Sequence, residues 1–209
     1  MSTAVLNHDE HAGHTKAPPA TAKFGMIMFL SSEAMLFAGL IGAYIVLRNS
    51  TSTAWPPEGA PDIGVTWPLT GLNWVMIINS CILIGSSLLY HAAEVSIKKK
   101  GKSGLLWLIA TIIAGSTFLS VQAWEWAHLH HEGLWFNTHG IYGSCFFVMT
   151  GFHGLHVLIG VLLIFWCFLR QLFTKCYSPA HSTSLDNVGL YWHFVDVVWI
   201  FLYGILYVI

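Results

Sequence analysis

Six ionisable side chains lie inside or at the edge of long apolar runs, where a charge is costly. They are Glu33, His153, His156, Arg170, His193 and Asp196. A charged side chain at the centre of a bilayer costs at least about 2.5–3.5 kcal/mol on insertion scales. Each of these residues therefore needs a partner, a change of protonation or a water-filled cavity, and together they are the first candidates for function.

Glu33 lies near the middle of the first apolar run. Two interpretations are open: a carboxyl that exchanges protons, or a protonated carboxyl that is hydrogen-bonded to a neighbouring helix. Beside it, Ala34, Ala38 and Gly42 repeat every four residues. This spacing of small residues lets a second helix pack closely.

Two pairs of polar residues are each spaced three apart, which places both members of a pair on roughly one helix face. His153 and His156 can be haem or metal ligands, or neutral histidines hydrogen-bonded across helices. Two imidazoles one turn apart cannot occupy opposite sides of one haem, and the sequence has no CxxCH for covalent haem attachment. For His193 and Asp196, a carboxylate beside an imidazole can relay a proton or clamp two helices.

Other histidines cluster in polar segments, namely His8, His11 and His14 in the tail and His128, His130, His131 and His139 near one loop. Neither cluster has the four-ligand pattern of a structural zinc site, so we interpret both as solvated segments. Metal binding and surface proton buffering stay open for them. Glu125 is expected near a membrane interface, where a charge costs little.

The elements that position these residues are apolar helices. Charged residues make up 9% of the chain and hydrophobic residues 55%, whereas soluble domains carry about 25% charge. A helix needs about 20 apolar residues to cross a bilayer, and five stretches are long enough: 24–47, 69–90, 104–126, 141–169 and 188–209. The sequence predicts an all-α, polytopic five-helix bundle at 23–209 after a polar, flexible tail at 1–22. The net charge of −1 argues against a nucleic-acid partner.

Lysine and arginine set the predicted orientation. Eight of them fall on one side of the five spans and one falls on the other. Positive charge stays in the cytoplasm, so the N-terminus is predicted inside and the C-terminus outside, on the periplasmic side.

Two long motifs carry a family resemblance. Residues 146–157 read FFVMTGFHGLHV and residues 191–203 read YWHFVDVVWIFLY. Both resemble signatures of subunit III of the haem–copper cytochrome c oxidases. Residues 32–39, SEAMLFAG, resemble the carboxyl-bearing helix of that family, and FLRQL at 168–172 matches as well. The resemblance covers residues 24–209, and the chain looks like the short, five-helix bacterial form.

The resemblance implies a non-catalytic subunit of an aa3-type terminal oxidase in the bacterial plasma membrane. Subunit III carries no haem, copper or other cofactor, since these belong to subunits I and II. It packs its helices directly against subunit I, beside subunit II and a small subunit IV. There it sustains proton uptake, limits inactivation during turnover and holds phospholipids. The short form begins at the third of seven helices, so a helix extension of another subunit is expected to supply the missing wall of the lipid cleft.

Carried over residue by residue, the resemblance makes Glu33 the carboxyl linked to proton behaviour. It makes Arg170 a contact for a lipid headgroup at the cytoplasmic interface, where a guanidinium can pair with phosphate. We assign the two pairs, His153 with His156 and His193 with Asp196, to interhelical hydrogen bonding. No catalytic or metal-binding residue is expected in this chain.

Three alternatives stay open at this point. Within the family, a quinol oxidase subunit III has the same five-helix length, and the copper content of its subunit II would distinguish the two. A free-standing b-type cytochrome would use histidines on facing helices and would give the isolated chain a Soret band. A stand-alone proton channel would need a continuous polar path, for which the helices offer few titratable groups.

Overall fold

The computed structural model describes residues 19–52, 54–61, 63, 71–99, 103–174 and 179–208. Within them lie five α-helices: α1 Pro19–Ser50, α2 Gly71–Lys98, α3 Gly104–His131, α4 Ile141–Thr174 and α5 Pro179–Tyr203, the last continuing as a π-helical turn, Gly204–Val208. All five are long and apolar enough to cross a membrane. The predicted all-α, five-helix architecture is therefore confirmed for the described part of the chain.

The helices extend beyond the predicted apolar limits. The second reaches Lys98 instead of ending at residue 90, and the fifth begins at Pro179 instead of residue 188. Residues 19–22, predicted as tail, form the first turn of α1; the rest of the tail lies outside the described residues. The reason is physical: apolar composition marks the hydrocarbon core, whereas a helix continues into the polar interface until a turn ends it.

One such turn ends α3. Gly133 has φ +93°, its N–H donates to the His130 carbonyl, and the Leu134 N–H donates to the Leu129 carbonyl at 2.9 Å. This pair of bonds is the Schellman motif, which favours glycine at the left-handed position. It explains why α3 continues past residue 126, where the apolar run ends.

α5 packs against α1, α2 and α4, and two fully buried tryptophans anchor it. The indole N–H of Trp192 donates to Ser86 Oγ and that of Trp199 donates to Ser80 Oγ, each at 3.0 Å. A buried indole needs such a partner, because lipid offers none. Ser80 and Ser86 on α2 therefore lock α5 in register.

The two ends of the bundle are distinct. At one end, here called the lysine end, Lys98 Nζ lies 2.8 Å from Asp186 Oδ1. At the other, the loop end, the Trp55 indole donates to Tyr44 Oη at 3.1 Å and meets the Tyr142 ring at 5.2 Å. These contacts identify the two ends of the bundle and give a direction along which buried groups can be placed.

α1 lies at the periphery. Only 6% of its most apolar stretch is buried, against 50% for α5. Its outward face includes Met35, which is 79% exposed, while Phe37 and Tyr44 are buried against the bundle. The polar residue Glu33 lies at the boundary between these two faces.

Candidate functional site: polar residues inside the bundle

Glu33 and His156 meet between α1 and α4. Glu33 Oε2 lies 3.1 Å from His156 Nε2. The two side chains are 18% and 9% exposed, so the contact is largely removed from the surroundings of the bundle. The structure therefore pairs the carboxyl of the first helix with one histidine of the fourth.

The second ring nitrogen of His156 determines what this contact requires. His156 Nδ1 lies 2.7 Å from the carbonyl oxygen of Phe152. A carbonyl can only accept a hydrogen bond, so Nδ1 carries a hydrogen. In a neutral ring Nε2 is then an acceptor, and Glu33 must donate; in a charged ring Nε2 donates to the carboxylate. In either arrangement the pair holds one shared proton.

Aromatic rings enclose this pair. The Phe37 ring meets the His156 ring edge-on at 5.0 Å, and the Tyr191 ring stacks near it at 6.5 Å. Tyr191 Oη also donates to the His156 carbonyl oxygen at 3.1 Å. An apolar enclosure with few donors strengthens the interaction between the two polar groups.

The contacts of His153 differ from those of His156. It is fully buried, and neither ring nitrogen has a hydrogen-bond partner among the described residues. Its ring stacks on Trp199 at 4.7 Å and meets the edge of Phe118 at 5.9 Å. The contacts of His153 are thus with aromatic rings, where the sequence led us to expect an interhelical hydrogen bond.

His193 and Asp196 are linked through a third residue that the sequence reasoning missed. Ser87 of α2 donates its hydroxyl to Asp196 Oδ2 and lies 3.0 Å from His193 Nδ1. The two residues do hold α2 and α5 together, but by way of this hydroxyl. Serine is common in membrane helices, so nothing in the sequence singled out Ser87.

Glu125 is placed differently from the expectation. It is fully buried inside the bundle, which its expected place near a membrane interface did not predict. Tyr207 Oη donates to Glu125 Oε1 at 2.8 Å, and Gln122 Nε2 donates to Oε2 at 3.2 Å. The π-helical turn at the end of α5 carries Tyr207, so this irregular turn positions the donor. Only the spacing of Gln122 and Glu125 hinted at such a cluster in the sequence.

Arg170 lies near the lysine end, with its guanidinium carbon 5.0 Å from the centroid of the Trp166 ring. This is a cation–π contact on a half-exposed indole. The contact orients the guanidinium along the surface of α4.

The loop-end histidines form pairwise contacts. His128 Nε2 lies 3.2 Å from Glu132 Oε1, and its ring stacks on Trp124. In the part of the chain that the structure describes, no group of three or more His, Cys, Asp or Glu side chains is arranged to hold a metal ion. The tail histidines His8, His11 and His14 lie outside the described residues.

Comparisons with known proteins extend over nearly the whole chain. A family model described as "Cytochrome c oxidase subunit III" matches residues 4–209. The chain is 40% identical over 217 residues to the cytochrome c oxidase subunit 3 of Synechocystis sp., covering 100% of this chain and 88% of that protein. It is 39% identical to that of Thermostichus vulcanus, covering 94% and 91%. The subunit 3 of Struthio camelus is 38% identical, with 93% and 72% covered.

Proposed function

Because this chain belongs to the cytochrome c oxidase subunit III family, we propose that it is the non-redox subunit III of an aa3-type haem–copper terminal oxidase. In this role it supports oxygen reduction and proton pumping by subunit I. The haems and copper reside in subunits I and II. The relatives are named for cytochrome c oxidase, which favours cytochrome c over quinol as the electron donor.

The observation that carries this proposal is the Glu33–His156 pair. A carboxyl and an imidazole that share one proton can release it or take it up with little rearrangement. Glu33 lies at the edge of the bundle, on the peripheral helix α1. A proton held there is close to whatever packs against α1, so the pair serves the proton traffic of the neighbouring subunit.

The exposed side of α1 supports direct helix packing against subunit I. Ala34, Ala38 and Gly42 are exposed, and a Cβ added at Gly42 would meet nothing within 4 Å. A stripe of small residues allows a second helix to approach closely. Subunit II and a small subunit IV complete the complex in the bacterial plasma membrane, with the N-terminus of this chain in the cytoplasm.

Phospholipid is the second proposed partner. Arg170, held over Trp166 at 5.0 Å, is placed to contact a lipid phosphate at the lysine end. Replacing Arg170 with Gln should lower the phospholipid that co-purifies with the complex, whereas Arg170→Lys should retain part of it. Equal lipid content in the parent and in both variants would exclude this role.

The proposal is tested by purifying the complex through a tag on this chain and recording its spectrum, subunit composition and oxidation of reduced cytochrome c and of quinol. We expect a-type haem, subunits I and II, and turnover with cytochrome c. Turnover with quinol alone would indicate the quinol branch of the family. A partnerless chain without haem would refute the proposal, and a Soret band from the isolated chain would indicate a b-type cytochrome.

A further inference from the structure

A seam of polar and ionisable side chains runs between α2 and α5, apart from the Glu33–His156 pair. α2 contributes Ser87, His91, Glu94 and Lys98, and α5 contributes Asp186, His193 and Asp196. The α2 residues are spaced by three or four, so they share one helix face. The seam leads from a buried carboxyl inside the bundle to a charged group at its lysine end.

The inner part of the seam is continuous. Asp196 is buried, and its Oδ2 accepts the hydroxyl of Ser87. Ser87 Oγ lies 3.0 Å from His193 Nδ1, which is within the range for direct proton transfer. A hydroxyl can donate and accept at the same time, so Ser87 can pass a proton in either direction between imidazole and carboxyl.

The outer part reaches the end of the bundle. His91 and Glu94 follow Ser87 on the same face of α2, in the direction of Lys98. Glu94 Oε2 lies 3.7 Å from where a Cβ of Gly189 would be, and Gly189 is one turn from His193 on α5. Lys98 Nζ joins Glu94 at 2.5 Å to Asp186 at 2.8 Å, and the Lys98 side chain is 42% exposed.

We propose that this seam is a proton-exchange path that connects Asp196 with water at the lysine end. A proton from water near Glu94 binds His193 Nε2 and gives an imidazolium. His193 releases its Nδ1 proton to Ser87 Oγ, while Ser87 passes its own hydroxyl proton to Asp196 Oδ2. One proton leaves water, one is gained by Asp196, and both His193 and Ser87 end neutral.

Two observations favour exchange over a static clamp. Asp196 Oδ1 is buried and has no hydrogen-bond partner within the described residues, so a permanent charge there would be poorly compensated. His193 is only partly buried, so its ring is not sealed inside the bundle as that of His153 is. Two titratable groups of α4, His153 and His156, contact α5 through the rings of Trp199 and Tyr191.

The inference does not depend on the electron donor or on the role of Glu33. It is tested in the purified complex of this chain by infrared spectroscopy after transfer to heavy water. The C=O band that disappears in Asp196→Asn is the band of protonated Asp196, and its isotope shift reports exchange. We expect Ser87→Ala and His193→Phe to slow that shift by at least about 10²-fold. Ser87→Thr keeps a hydroxyl at this position and should exchange at the rate of the parent.

Ser96→Ala is the matched control, because Ser96 also lies on α2 and its hydroxyl contacts Ser103 instead of Asp196. Its exchange should equal that of the parent. Equal exchange rates in Ser87→Ala and Ser96→Ala would overturn the proposal. So would the absence of any carboxyl band that is lost in Asp196→Asn, because Asp196 would then hold no proton to exchange. If Ser87→Ala does not assemble, the same test is made with His193→Phe, which should exchange slowly, and Ser87→Thr, which should not.

Discussion

Glu33 on α1 and His156 on α4 hold one proton between them, because the other ring nitrogen of His156 already faces the Phe152 carbonyl oxygen. The contact joins two helices that are far apart in the chain, whereas the hydrogen bond from Nδ1 to the Phe152 carbonyl lies within α4 and fixes the hydrogen on that nitrogen. Removing the proton and removing the contact are therefore separable changes.

Glu33→Gln should remove the shared proton and keep the contact. The new amide can donate to His156 Nε2, so we expect normal assembly and a stability change below about 1 kcal/mol. Proton release per electron or the number of turnovers before inactivation should fall, as measured with a pH probe and an oxygen electrode. Glu33→Leu should show the same loss of function and, in addition, should destabilise the bundle by about 1–3 kcal/mol, since it leaves His156 Nε2 unpaired.

Ser32→Ala is the control for these variants, because Ser32 donates to the Phe29 carbonyl within its own helix. It should match the parent in both measurements. If Glu33→Gln released protons and lost activity at the rate of the Ser32→Ala control, the pair would be a structural contact and nothing more.

The sequence was sufficient to predict that each of these residues needs a partner, but not which partner. Apolar length gave the number of spans, and the cost of a charge in lipid singled out Glu33, His156 and Asp196. The pairing depends on which helices are neighbours and how each is rotated, and neither is encoded locally. Glu33 and His156 are separated by 123 positions, so the spacing that groups His156 with His153 carried no information about their contact.

Glu125 shows a second limit. Its position near the end of an apolar run predicted a place near a membrane interface, but that position gave no indication that the side chain is fully buried inside the bundle. The hydroxyl that donates to this buried carboxyl belongs to Tyr207, which lies in an irregular turn at the far end of the chain. Helix ends depend on turn chemistry and on loop packing, so apolar runs do not predict which groups cover them.

His153→Phe should be neutral, or stabilising by about 1 kcal/mol. The ring of His153 is buried against Trp199 and Phe118, and the described residues offer its nitrogens no hydrogen bond. Replacing an unpaired buried polar group by an apolar ring of similar shape removes a desolvation cost. Thermal dissociation of this chain from the complex measures the effect.

His156→Phe supplies the contrast, since it breaks the bond to Glu33 and should destabilise by about 1–3 kcal/mol. A comparable loss in His153→Phe would contradict the prediction and would reveal a polar partner for His153 in the assembled complex.

Gly160→Ala should weaken the packing of α4 on α5. A Cβ at Gly160 would lie 2.6 Å from the ring of Trp192, which is fully buried and held by its bond to Ser86. Because that ring cannot move freely, we expect a loss of about 1–3 kcal/mol. Gly154→Ala on the same helix is the control, since a Cβ there meets nothing within 4 Å, and alanine should stabilise it by up to about 1 kcal/mol. Equal stability of the two variants would refute the close contact at Trp192.

Tyr207→Phe should destabilise the loop end of the bundle. Tyr207 Oη donates to the fully buried Glu125 at 2.8 Å, and removing that donor leaves a buried carboxyl oxygen with one contact fewer, at a cost of about 1–3 kcal/mol. Tyr203→Phe is a close control, because Tyr203 stacks on Tyr207 at 5.0 Å while its hydroxyl has no hydrogen-bond partner in the described part of the chain. It should change stability by less than about 0.5 kcal/mol. Combining Tyr207→Phe with Glu125→Gln should recover part of the loss, because an amide in place of the carboxyl avoids burying an uncompensated charge. A Tyr207→Phe complex that dissociates at the temperature of the Tyr203→Phe control would show that the hydrogen bond to Glu125 contributes nothing to the fold.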